Sequence, residues 1–171
     1  MRRRPLAVRL AFLIAACVVL VGGVIVAMTV SRPTLSTVSE GFELCVPANP
    51  SGEALFGWDV FRNDSGRPVT LVGFAPDQAA GISVIGGRFL LDEEPGPRGA
   101  QDDPALIPSS WTPRTVPPGA TVTLVIGLRL TDPAAKGSLR GGVLVSDWWG
   151  PLSTVAKSTT VYILAPTNSV C

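Results

Sequence analysis

The chain has 171 residues, with 14 basic and 13 acidic side chains for a net charge of +1, and it contains no histidine. That balance argues against nucleic-acid binding, which needs a basic patch. The missing imidazole excludes Ser-His-Asp and Cys-His catalysis and a cupredoxin-type copper site, which leaves carboxylates, or a serine with Lys136 or Lys157, for any enzyme.

Residues 1–9 form a short basic N-terminus carrying Arg2, Arg3, Arg4 and Arg9. The next stretch begins at Leu10 and ends at Val30, with no charge and Thr29 as its single polar side chain. As a helix these residues span roughly 31 Å, the thickness of a bilayer core, and their twelve Leu, Ile, Val and Phe residues favour insertion by roughly 4 to 7 kcal/mol. The arginine asymmetry predicts a cytoplasmic N-terminus, one membrane helix over residues 10–30 in contact with lipid, and export of everything after it. Two alternatives stay open. Cleavage near Ala27 to Ser31 would remove the segment, and Ile14-Ala15-Ala16-Cys17 has the form of a lipobox, although a long apolar run follows it. Gly23 and Ala27 make one small-xxx-small step, which is common on lipid-facing helices.

Residues 31–37 read as a short stalk, and residues 38–171 as one exported domain. From residue 34 onward nine basic residues stand against thirteen acidic ones, a net −4. Twelve Arg against two Lys, with abundant Gly, Pro and Ala, point to a GC-rich genome and hence a bacterium, of the high-GC Gram-positive kind. Phe42, Leu44 and Val46 alternate as a first strand. Residues 54–62 read as the next, with Phe56, Trp58 and Val60 on one face and Gly57 and Asp59 on the other. Residues 63–66 turn the chain, and 68–74 pair back as a hairpin. Residues 81–91 hold Gly86 and Gly87 and read as two short strands or one with a bulge.

A long irregular loop, 92–119, follows with seven prolines, and it is either functional or loosely ordered. Residues 121–130 carry the clearest signal, with Val122, Leu124, Ile126, Leu128 and Leu130 on one face and Val125 as the exception. Residues 141–149 and 153–164 read as a final hairpin around Gly150-Pro151. Cys45 and Cys171 are the exported thiols, and in an oxidising compartment they most simply pair, closing a 127-residue loop. An intermolecular bridge from Cys171 is the alternative.

About seven short strands separated by Gly, Pro and Asn turns predict an all-β, antiparallel sandwich. The stretch Val60-Phe61-Arg62-Asn63-Asp64-Ser65-Gly66-Arg67-Pro68-Val69-Thr70-Leu71 resembles the first hairpin of bacterial immunoglobulin-like domains. Val116-Pro117-Pro118-Gly119-Ala120-Thr121-Val122-Thr123-Leu124 is similar to the strand entry of immunoglobulin-like and fibronectin type III domains. The resemblance implies an immunoglobulin-like sandwich, and it departs from antibody domains in placing both cysteines near the domain ends.

Asp92, Glu93, Glu94, Asp102 and Asp103 cluster in the long loop and are the weak candidates for a Ca²⁺ site, against a solvated acidic loop. Trp148 and Trp149 stand before a turn, where one ring can anchor a protein, a glycan or the membrane interface while the other packs inward. Asn63-Asp64-Ser65 fits the N-glycosylation sequon and also reads as a plain turn. The expectation is a membrane-tethered extracellular binding or accessory module without catalytic activity or cofactor, whose partner is an envelope protein or glycan. The alternative is a Ca²⁺-dependent binder or a carboxylate-dependent enzyme using the acidic loop.

Overall fold

The computed structural model describes residues 16–20, 34–147 and 150–171. The chain divides into two units, Met1–Arg32 and Pro33–Cys171. In the first, residues 16–20 are helical, and the rest of the span from Leu10 to Val30 lies outside the described residues. Among the described residues no helix is long and apolar enough to cross a membrane.

The second unit is all-β. Its strands are β1 (Leu35–Thr37), β2 (Glu43–Pro47), β3 (Glu53–Asn63), β4 (Val69–Ala80), β5 (Ile82–Leu91), β6 (Gly99–Gln101), β7 (Arg114–Val116), β8 (Thr121–Leu130), β9 (Gly137–Asp147), β10 (Gly150–Lys157) and β11 (Val161–Ala165). One sheet runs β1-β3-β8-β5, with β6 on β3; the other runs β2-β11-β9-β4-β7, with β10 on β9. Pairing is antiparallel except for β2 beside β11.

The alternating apolar face of β8 supplies Val122, Leu124, Ile126, Leu128 and Leu130 to the core between the sheets. There they meet Phe56 and Phe61 of β3, Leu71 and Phe74 of β4, Leu139, Val143 and Val145 of β9, and Tyr162 and Leu164 of β11. Val125, the exception to that alternation, is buried on the opposite face with Leu55 and Leu90.

Several expectations are corrected. β1 lies within residues 31–37, so part of the expected stalk is sheet, and Leu35 packs on the core. β4 does not pair with β3 as a hairpin but belongs to the other sheet. The connection arches because Phe61 and Leu71 both face the core, and buried Asn63 holds the arch by donating Nδ2 to Arg67 O (2.8 Å) and Val116 O (3.0 Å). Asn63 is 0% exposed, so the sequon is a turn with no free amide for a glycan. The segment 153–164 is not one strand: β10 pairs with Gly142 to Asp147 of β9, β11 with Gly137 to Leu139, and residues 158–160 interrupt them.

The long loop 92–119 is folded onto the structure, since it contains β6 and β7 and its middle crosses the outer face of the first sheet. Leu106 and Ile107 pack on Leu55, Leu90 and Val125. Glycines make the room. A Cβ on Gly86 would stand 2.4 Å from Ser110 N and 2.6 Å from Pro108 O, one on Gly127 2.9 Å from Pro108 O, and one on Gly57 2.7 Å from Pro97 O. Gly86 pairs with Gly127, and Gly57 pairs with Val125 two residues away on β8, so three glycines on three neighbouring strands leave room for the loop backbone. Gly86→Ala should therefore force the loop off the sheet and cost about 1 to 3 kcal/mol in chemical denaturation, the range for overpacking. An unchanged midpoint would show that the loop yields freely.

Candidate functional site

The pairing of β3 with β8 slips between Gly57 and Val60, which adds a residue to β3 and reverses which face the following side chains occupy. Ala54 and Phe56 point to the core before the slip, and Phe61 does so after it. Sequence alternation put Trp58 with Phe56 and Asp59 with the polar face. The structure reverses both: Trp58 is 42% exposed, and Asp59 is fully buried.

A buried carboxylate needs hydrogen-bond donors to offset its lost hydration. Asp59 takes them from the other sheet. Its Oδ2 accepts from Tyr162 Oη at 2.5 Å and from Ser158 Oγ, and its Oδ1 accepts from Thr160 Oγ1. Ser39 Oγ approaches Oδ1 at 3.4 Å. The interruption between β10 and β11 exists for this contact: Ser158 N donates to Gly141 O at 2.9 Å, and Thr160 N donates to Ser158 Oγ at 2.9 Å, turning both hydroxyls inward. Tyr162 is wedged edge-on between Phe56 and Phe74, with ring centroids 5.3 and 6.3 Å away. Burial, then the neighbouring Asp59 charge and the bond to it, push the Tyr162 phenol well above its ordinary pKa. A carboxylate saturated with hydroxyl donors and walled off from solvent ties the two sheets together.

Directly outside this cluster the chain from β1 to β2 changes sheets. Val38 N donates to Val60 O at 2.8 Å on the first sheet, and Phe42 O accepts from Val161 N at 3.0 Å on the second. Gly41 permits the crossing, because a Cβ there would lie 2.7 Å from Thr159 O. Phe42 meets Trp58 edge-on, with centroids 5.0 Å apart and planes at 79°. Val38, whose N–H is bonded to Val60 O, is 53% exposed. The result is an outward-facing aromatic pair whose Trp58, on β3, is followed directly in the chain by the buried, hydrogen-bonded Asp59. Exposed Trp with a rigid apolar neighbour is a recurrent anchor in protein recognition.

The acidic loop residues are spread over separate tasks. Asp92 accepts from Thr121 Oγ1, Glu94 pairs with Arg114 and accepts from Leu91 N at 3.2 Å, and Asp103 accepts from Ala105 N at 2.9 Å. Glu93 and Asp102 are exposed. Among the described residues no three His, Cys, Asp or Glu side chains gather as a metal site would require. Trp148 and Trp149 lie outside the described residues. Cys45 and Cys171 are joined, with Cα atoms 5.5 Å apart. Asp59, Tyr162, Ser158, Thr160, Trp58 and Phe42 were not singled out from sequence; the available signal was a lone Asp in an apolar strand and a hydroxyl run, Ser158-Thr159-Thr160, just before Tyr162.

No protein-family model and no curated protein matches the chain. Among solved structures it is similar to a family 123 glycoside hydrolase from Clostridium perfringens, at 14% identity and a TM-score of 0.37 over 82% of this chain. The chain spans 28% of that hydrolase. It is also similar to the CooA pilin subunit from enterotoxigenic Escherichia coli, at 8% identity and a TM-score of 0.39 over 78% of this chain and 99% of that one.

Proposed function

We propose that the protein is a membrane-tethered extracellular immunoglobulin-like module that binds another envelope protein and carries out no chemistry. The observation that carries this reading is the outward Trp58-Phe42 pair, whose Trp58 adjoins the buried, hydrogen-bonded Asp59. The strand order supports the immunoglobulin-like assignment: taking β1, β3, β4, β5, β8, β9 and β10 with β11 as strands A to G gives A-B-E-D against G-F-C. The uncharged run from Leu10 to Val30 supports the tether, with the domain on the outer side.

A photoreactive amino acid in place of Trp58, in the full chain in its native membrane, should yield one discrete protein crosslink. The same group in place of Val155, exposed on the other sheet at 47%, should not. No product from position 58, or the same products from both positions, would contradict the reading.

A further inference from the structure

The chain around the aromatic pair carries charge of one sign. From Pro33 to Phe61 it holds four carboxylates, Glu40, Glu43, Glu53 and Asp59, and no Lys or Arg. Two of the four are answered within the domain: Glu53 pairs with Arg129, and Asp59 is bonded to Tyr162, Ser158 and Thr160. Glu40 and Glu43 are exposed, and among the described residues neither side chain has a hydrogen bond or an ion pair. The basic side chains on adjoining segments are turned to other acceptors. Arg62 pairs with Asp64, Lys157 faces Asp77 at 3.7 Å, and Arg98, whose Cα lies over Gly57, donates to Asp92 O at 2.7 Å.

Backbone and hydroxyl bonds hold the two free carboxylates beside the rings. Ser39, just before Glu40, has its hydroxyl 3.4 Å from Asp59 Oδ1 and accepts from Val60 N at 3.3 Å. Phe42, just before Glu43, has its O bonded to Val161 N at 3.0 Å and its ring against Trp58. Glu40 therefore sits in a short arch pinned on both sides. With ~3.8 Å between consecutive Cα atoms, the Cα atoms of Glu40 and Glu43 lie within roughly 8 Å of that of Phe42.

An indole face attracts a cation through its quadrupole, and a carboxylate beside it adds a charge-assisted hydrogen bond. The same carboxylates repel an anionic lipid headgroup, and a neutral glycan gains nothing from their charge. We propose that Trp58, Phe42, Glu40 and Glu43 form a receptor for a basic side chain, and that the partner docks through an arginine laid on the Trp58 ring with its guanidinium against the two carboxylates. Arginine suits the site better than lysine because its planar fork stacks on a ring and pairs with carboxylate oxygens at once. The inference rests on the binding-module reading and names the chemistry of its partner, a basic segment of an envelope protein.

In the full chain labelled with fluorotryptophan, the fluorine signal lost in Trp58→Phe reports the site, and that of Trp111, stacked on Phe89 with centroids 5.7 Å apart, is the internal control. The probe is a synthetic Gly-Arg-Gly-Arg-Gly peptide, compared with its citrulline counterpart, which keeps the shape and loses the charge. The arginine peptide should move the Trp58 signal and leave that of Trp111 in place, and the citrulline peptide should move neither. Glu40→Gln with Glu43→Gln should weaken the response roughly 2- to 30-fold, the range for two exposed ion pairs. Equal responses to the two peptides, no response to either, or an unchanged response in the double variant would overturn the proposal. A neutral oligosaccharide that moves the Trp58 signal where the arginine peptide does not would make the surface a glycan site instead. If the Trp111 signal shows that the double variant is misfolded, the citrulline comparison decides alone. The crosslink at position 58 separates this inference from the reading it rests on. A crosslink that persists undiminished in the double variant keeps the module and removes the basic contact, whereas a peptide response with no crosslink keeps the cation receptor and removes the envelope partner.

Discussion

Asp59→Ala is expected to lower the unfolding free energy of the full chain by about 3 kcal/mol or more, because three hydroxyl donors lose their acceptor at about 1 to 3 kcal/mol for each one left unsatisfied. Thr160 and Tyr162 are buried, so water cannot replace the carboxylate at those two positions. Against a total stability of roughly 5 to 15 kcal/mol for a domain, such a loss is a large fraction. Asp59→Asn should cost less, since the amide oxygen still accepts. Ser39→Ala should cost little, because its 3.4 Å contact is the longest of the four. Urea midpoints of the three variants test the order. A wild-type midpoint for Asp59→Ala would mean that the hydroxyls find other acceptors.

The second large effect belongs to the disulfide. Cys45 lies on β2, whose one sheet partner is β11, and Cys171 ends the tail that follows β11. The bridge therefore ties the last residues to a strand that enters the fold near its start, closing a loop with a sequence separation of 126. Replacing both cysteines by serine should cost about 2 to 5 kcal/mol, mostly through the greater freedom of the unfolded chain. Thermal melts with and without reductant should differ for the native chain and coincide for the double variant. Identical melts for the native chain would show that the tail is held by other contacts, such as the 2.8 Å bond from Thr167 Oγ1 to Asn49 O.

What could be read in advance followed physical locality. The period-2 run of β8 was legible because every second residue from Val122 to Leu130 faces the core without a slip. The cysteine pairing was legible from counting. The faces of β3 were not, because a single extra residue between Gly57 and Val60 reverses the alternation and leaves the residue types unchanged. A buried Asp59 was equally hidden, since its donors at positions 158, 160 and 162 lie about a hundred residues away. The fate of the long loop was half-visible. Its prolines excluded helix, but the complementary signal sat elsewhere, in Gly57, Gly86 and Gly127, which weaken their own strands and make sense only once a backbone lies across them. Val125 belongs to the same account, as an apolar residue placed on the outer face because that face is covered.

Beside the aromatic pair a phenol and a carboxylate are sealed together between two sheets, and Tyr162 is the chain's single tyrosine, so its ionisation can be followed without interference from another phenol. In the unfolded chain it titrates near ~10. In the native protein its pKa is raised, so the stability it contributes is complete below about pH 10 and is lost as the pH climbs from there through the folded value. Near-ultraviolet phenolate absorbance of the full chain, recorded against pH together with a probe of the fold, measures this directly. No phenolate is expected in the folded protein near pH ~10, and it should appear at higher pH together with unfolding. Reversible ionisation near pH ~10 with the fold intact would contradict it.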